Sequence, residues 1–153
     1  MAQVAPELAW VDDDPAGGWA GVVPPWPFAR PQPEQLEEFL DGRRLRIRVE
    51  YSQAHPMVEP TVRPIEPEPD PMYRTQQDWH VNGDGSLCLL QQARDWSPTD
   101  TAADLVVKAA GWFLEYLLME QGRITAMTTR GIVTDDSLDE LLTPASPGRE
   151  GAG

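Results

Sequence analysis

The stretch Asp78-Trp79-His80-Val81-Asn82-Gly83-Asp84-Gly85-Ser86-Leu87-Cys88-Leu89, followed by Trp96-Ser97-Pro98, places the only cysteine of the chain directly behind a glycine-rich polar turn. A structural cysteine usually lies in an apolar run and behaves as a small hydrophobe. Leu87 and Leu89 would suit such an inert thiol, but the histidine, asparagine and two aspartates just upstream of Cys88 suit a thiol that reacts. The turn therefore predicts a loop-borne nucleophile, and the segments on either side should be its scaffold.

Downstream, Thr101 with Asp104 three residues later reads as a capping box, and Leu105, Val106, Ala109, Trp112, Phe113, Tyr116 and Leu117 recur at helical period. A long helix to about Gln121, closed by Gly122 and carrying its apolar stripe into the core, follows from that pattern. Upstream, Arg44-Leu45-Arg46-Ile47-Arg48-Val49-Glu50-Tyr51 alternates charged and apolar residues with period two, the pattern of a strand with one buried face. Alternation alone generates its arginine row, which favours a solvated face over a docking patch. Prolines recur from Pro56 to Pro71, so that stretch should run extended over the surface, with an edge strand at Thr61 to Arg63.

Towards the N-terminus, Leu8 to Val11 and Trp19 to Val23 are expected to form a hairpin around Asp12 to Gly18. A short amphipathic helix initiated by Pro33 should bury Leu36, Phe39 and Leu40 and end at Asp41-Gly42. Beyond Gly122, a short element over Ile124 to Val133, an acidic helical turn over Ser137 to Leu142 and a disordered tail over residues 143–153 are expected. Trp79, Trp96 and Trp112 should pack around the cysteine turn and the long helix. The reading is an α+β domain over residues 1–142, a small antiparallel sheet packed on the long helix that follows the cysteine turn.

At 153 residues the chain suffices for one hydrophobic core. One cysteine excludes an internal disulfide, and with His55 and His80 it leaves too few soft ligands for a structural zinc site. No metal and no cofactor are expected. A net charge of -13 argues against nonspecific nucleic-acid binding. Lys108 and Glu115 interrupt the most apolar segment, so neither membrane spanning nor export is indicated and a cytoplasmic location is expected.

The order of elements resembles the ubiquitin-conjugating enzymes over roughly residues 45 to 120. The resemblance rests on Tyr51-Ser52-Gln53-Ala54-His55-Pro56, Glu59-Pro60-Thr61-Val62, His80-Val81-Asn82, Gly85-Ser86-Leu87-Cys88-Leu89 and Trp96-Ser97-Pro98 ahead of a long helix. In that family a His-Pro-Asn element precedes a Gly-Ser-Ile-Cys-Leu element with the catalytic cysteine, and Trp-Ser-Pro begins eight residues later, as Trp96 follows Cys88 here. The chain departs from the pattern where Val81 replaces the proline and where the interval from Asn82 to Cys88 is shorter. It also shows no counterpart of the N-terminal docking helix before Leu8, and the C-terminal helices are abbreviated after Gly122. These features are similar to those of stand-alone bacterial members encoded in antiphage operons of the CBASS type.

The resemblance implies an acyltransferase. Cys88 would accept, from an activating enzyme, the C-terminus of a ubiquitin-like protein or of a cyclic-nucleotide synthase as a thioester, and pass it to a lysine of a target protein. Asn82 would donate to the oxyanion of the transfer step. His80 would pin the turn by hydrogen bonds. Asp84 and Asp95 are candidates for easing proton loss from the incoming ammonium, with solvated turn caps as the plainer account, and Trp96 would support the site. Two other functions fit the residues: a noncatalytic module that binds a ubiquitin-like protein or partner enzyme, and a cysteine hydrolase pairing Cys88 with His55 or His80.

Overall fold

A computed structural model describes residues 1–12, 16–74, 76–90 and 95–144. Four strands, Ala9–Val11 (β1), Gly18–Val23 (β2), Leu45–Glu50 (β3) and Thr61–Glu66 (β4), pair antiparallel in the order β1-β2-β3-β4. A short helix, Leu36–Leu40 (α1), interrupts the meander between β2 and β3, and one long helix, Ala102–Glu120 (α2), follows the sheet. The protein is thus a small α+β structure with an antiparallel sheet and one main helix, as the sequence predicts.

β3 follows from its alternation. Leu45, Ile47 and Val49 are fully buried, each contributing roughly 1.5–3 kcal/mol, while Arg46, Arg48 and Glu50 face outward. Val49 pairs with Val62 and with Trp19, which continues the apolar face across the sheet. β4 is longer than the sequence suggests, running on to Glu66 through Pro64. The proline is accommodated beside a register shift at the sheet edge, where a missing N–H costs no central ladder bond.

α2 begins at Thr101, whose backbone N–H and hydroxyl both donate to Asp104 Oδ2 (3.1 and 3.2 Å). It ends where Gly122, at φ +68°, lets Gly122 N–H reach Met119 O and Arg123 N–H reach Leu118 O, closing the last carbonyls. The expected single apolar stripe understates its burial, since every residue from Ala109 to Met119 is inside. One side faces the sheet. The segment 124–133 covers another, with Ile132 buried and Thr128 N–H bonded to the Glu115 carboxylate at 2.8 Å.

That segment forms no helix or strand, contrary to expectation, because Met127 N–H goes to Asp78 O and Thr128 to a side chain instead of to a ladder. The short helix starts at Leu36, so Pro33 stands outside it and accepts from Leu36 N–H. The acidic turn is a 3-10 turn, Asp139–Leu141, tied to Arg30 by a two-pronged ion pair (2.7 and 2.8 Å). Thr143, expected in the disordered tail, is held by Arg123, which donates to its carbonyl and hydroxyl. Residues 145–153 of that tail, and Asp13 to Pro15 of the hairpin turn, lie outside the described residues. Among the described residues no helix is long and apolar enough to cross a membrane.

Candidate active site

The cysteine turn is fixed to the outer edge of β4. Leu87 N–H donates to Val62 O (2.8 Å) and Arg63 Nη1 to Asp84 O (3.1 Å), so the edge strand is covered by the segment that carries the thiol. The turn closes on itself through Asn82 N–H to Ser86 O, Gly85 N–H to Asn82 O and Cys88 N–H to His80 O, all within 2.9 Å. Gly85 at φ +88° supplies the left-handed residue this requires. Behind it, Tyr73 stacks on Trp79 at 3.7 Å and Trp79 meets Tyr116 of α2, whose neighbour Trp112 donates Nε1–H to Trp79 O. The aromatic cluster thereby locks the entry to the turn onto the helix.

Cys88 is exposed, with its thiol donating to Leu90 O at 3.6 Å. Partial burial, and after it the negative charge of Glu59, push this thiol above its ordinary value. Two clefts meet at Cys88. One, of about 120 Å³, is lined by Glu59, Asn82, Ser86 and Leu105; the other, of about 100 Å³, by His80, Lys108, Glu115 and Thr128 to Gly131.

Asn82 reaches the first cleft, but its amide donates inward to Ser86 Oγ (3.0 Å) and Leu87 O (3.3 Å). Stabilising an oxyanion would require releasing one of those bonds, so its resting role is to hold the turn. His80 faces the second cleft in a left-handed conformation (φ +51°), and burial lowers its imidazole against the opposing charge of Asp78. The turn is pinned through the His80 carbonyl, which accepts from Cys88; among the described residues the ring makes none of the hydrogen bonds that the sequence suggests.

The two aspartates do not converge on the thiol. Asp84 accepts from the hydroxyl and backbone of Ser86 (2.6 and 2.9 Å), which holds its carboxyl below the usual range, and pairs with Arg63 at 3.5 Å. Asp95 lines a neighbouring cavity with Trp96 that Cys88 does not reach. Trp96 is buried and donates Nε1–H to Pro56 O (2.8 Å), anchoring the stretch ahead of β4. His55 lies between Tyr51 and Trp96, with ring centroids 4.4 and 6.3 Å away.

Sequence reasoning missed two carboxylates. Glu59 stands ahead of β4 with Oε2 buried and without a hydrogen-bond partner, and burial raises its carboxyl. Glu115, 2% exposed on α2, is also raised by burial, partly offset by its bonds from Thr128. Glu115 falls inside the apolar period of α2, which is a signal in itself; nothing in the Pro56 to Pro71 run marks Glu59 as lying beside Cys88. Among the described residues no group of His, Cys, Asp and Glu is placed to hold a metal ion. No protein-family model, curated protein or solved structure matches the chain.

Proposed function

We propose that the chain is a conjugating enzyme of the ubiquitin-conjugating type, with a fold of that family, which carries an acyl group on Cys88 and passes it to a lysine amine. The observation that carries the reading is an exposed thiol on a hydrogen-bonded turn docked between the edge strand of a four-stranded meander and a long helix, sharing a cleft with an asparagine and a carboxylate. In the loading step the Cys88 thiolate attacks the carbonyl of a donor thioester; the new C–S bond forms as the donor C–S bond breaks, and the donor thiol takes up a proton. The exchange is close to isoenergetic, and the energy enters earlier, through ATP used by a separate activating enzyme.

A raised thiol suits a carrier. Its thiolate is scarce, but it is the stronger nucleophile per ion and the poorer leaving group, so the loaded acyl group waits for an acceptor. A cysteine hydrolase needs the opposite, a thiolate stabilised by an imidazolium, and here burial lowers the imidazole in the cleft, which disfavours its charged form, and His55 packs against aromatic rings elsewhere. The acyl donor is the C-terminus of a ubiquitin-like protein or of a cyclic-nucleotide synthase, in bacterial antiphage defence.

The test is an intact mass and nonreducing gel of wild type, Cys88→Ser and Cys88→Ala isolated from cells that express the native genomic neighbours. A thiol-labile adduct on wild type that turns thiol-resistant on serine and vanishes on alanine is expected. No adduct on any variant, with ATP-dependent activation demonstrated in the same cells, would favour a noncatalytic binding module.

A further inference from the structure

We propose that Glu59 is a catalytic residue of this site, the base that accepts the proton of an incoming ammonium and so makes protonated primary amines the preferred acyl acceptors. The inference rests on the acyl-carrier reading above. Glu59 lines the small cleft beside Cys88 and Asn82, and its Oε2 is buried without a hydrogen-bond partner. Buried carboxylate oxygens are ordinarily paired, and an exception calls for a reason. Among the described residues lining that cleft there is no lysine, arginine or histidine; the others are Pro60, Thr61, Val62, Asn82, Ser86 and apolar side chains around Cys88. The lining itself therefore supplies no cation to the Glu59 carboxylate, and an ammonium entering beside Cys88 would be its natural counter-charge.

At about 120 Å³ the cleft has room for an ammonium and part of its methylene stem. Of the other carboxylates proposed from sequence, Asp84 is held by Ser86 and Arg63, and Asp95 lines the neighbouring cavity rather than this cleft. Burial also strengthens Glu59 as a base, since it raises the affinity of the carboxylate for a proton.

In the transfer step the ammonium gives one proton to the Glu59 carboxylate and becomes a neutral amine. Its nitrogen lone pair attacks the acyl carbon, the C–N bond forms, the C–S bond to Cys88 breaks, and the second amine proton goes to the departing sulfur. The products are an amide, the free Cys88 thiol and a protonated Glu59, which returns its proton to solvent.

The test uses the full chain loaded with the mercaptoethanesulfonate thioester of N-acetylglycine, with acylation of Cys88 followed by intact mass and Cys88→Ala as the control. The acyl enzyme is then challenged near neutral pH with N-acetyl-lysine amide, which is protonated there, and separately with hydroxylamine, which is not. For Glu59→Gln the ratio of lysine to hydroxylamine discharge is expected to fall by about a hundredfold, with Glu59→Asp recovering part of it. An unchanged ratio, an equal slowing with both acceptors, or an aspartate variant no better than glutamine would overturn the role of Glu59 while leaving the carrier reading intact. Failure of Cys88 to take up the acyl group would sink the carrier reading, and the inference with it.

Discussion

Cys88 and Glu59 lie together although the sequence separates them widely, and each shapes the proton affinity of the site. Burial and the Glu59 charge keep the thiolate a small minority at neutral pH. Alkylation of Cys88 by iodoacetamide should rise about tenfold per pH unit from neutrality to beyond the ordinary cysteine value, without an early plateau. Glu59→Gln removes the negative charge, so the profile should move to lower pH and alkylation near pH 8 should quicken; a profile that stays in place would mean that the Glu59 field does not reach the sulfur. His80 gives a second handle. Its imidazole is lowered in the folded state, so the unfolded chain binds the proton more tightly. The stability this contributes is present above the unfolded value of about 6.5 and is lost as pH falls through the folded one. Urea midpoints at about pH 5 and pH 7 should differ less in His80→Asn, which also tolerates the left-handed backbone.

At the scale of elements, a buried carboxylate helps tie α2 to the irregular segment 124–133. Glu115 accepts from Thr128 N–H, and its folded carboxyl is raised by burial, so its contribution runs opposite to that of His80. It is fully present below the unfolded value of about 4.5 and lost as pH rises through the folded one. Glu115→Gln keeps an acceptor for Thr128 and sheds the buried charge, and should match or exceed wild-type stability at neutral pH. Glu115→Ala leaves that N–H unpaired and should cost about 1–3 kcal/mol, read from denaturant unfolding. Equal losses for both variants would mean that the charge itself is needed. The element was only half legible: the period of α2 and its caps at Thr101 and Gly122 could be read directly, whereas the non-repetitive chain covering its far side carries no period.

Over the whole molecule, a net charge of -13 surrounds a core built from the inner face of the sheet, α1 and the buried length of α2. Several of the cations are already paired, Arg30 with Asp139, Arg63 with Glu50 and Asp84, Arg43 with Glu120, which leaves a large excess of carboxylates repelling one another. Raising monovalent salt from about 20 to about 200 mM should screen that repulsion and raise Tm. A fall in Tm over the same range would mean that the ion pairs outweigh the repulsion.

The sequence by itself determined the features that depend on near neighbours: the alternation of β3, the ends of α2, and a cysteine behind a closed polar turn. Each is written in residues a few positions apart whose hydrogen bonds and burial period need no partner from elsewhere. Only the tertiary structure decided that Arg63 of β4 reaches Asp84 and that Glu59 stands in the cleft of Cys88. Those outcomes depend on where the edge strand meets the turn, and proton affinity follows from the burial and charges that the meeting creates.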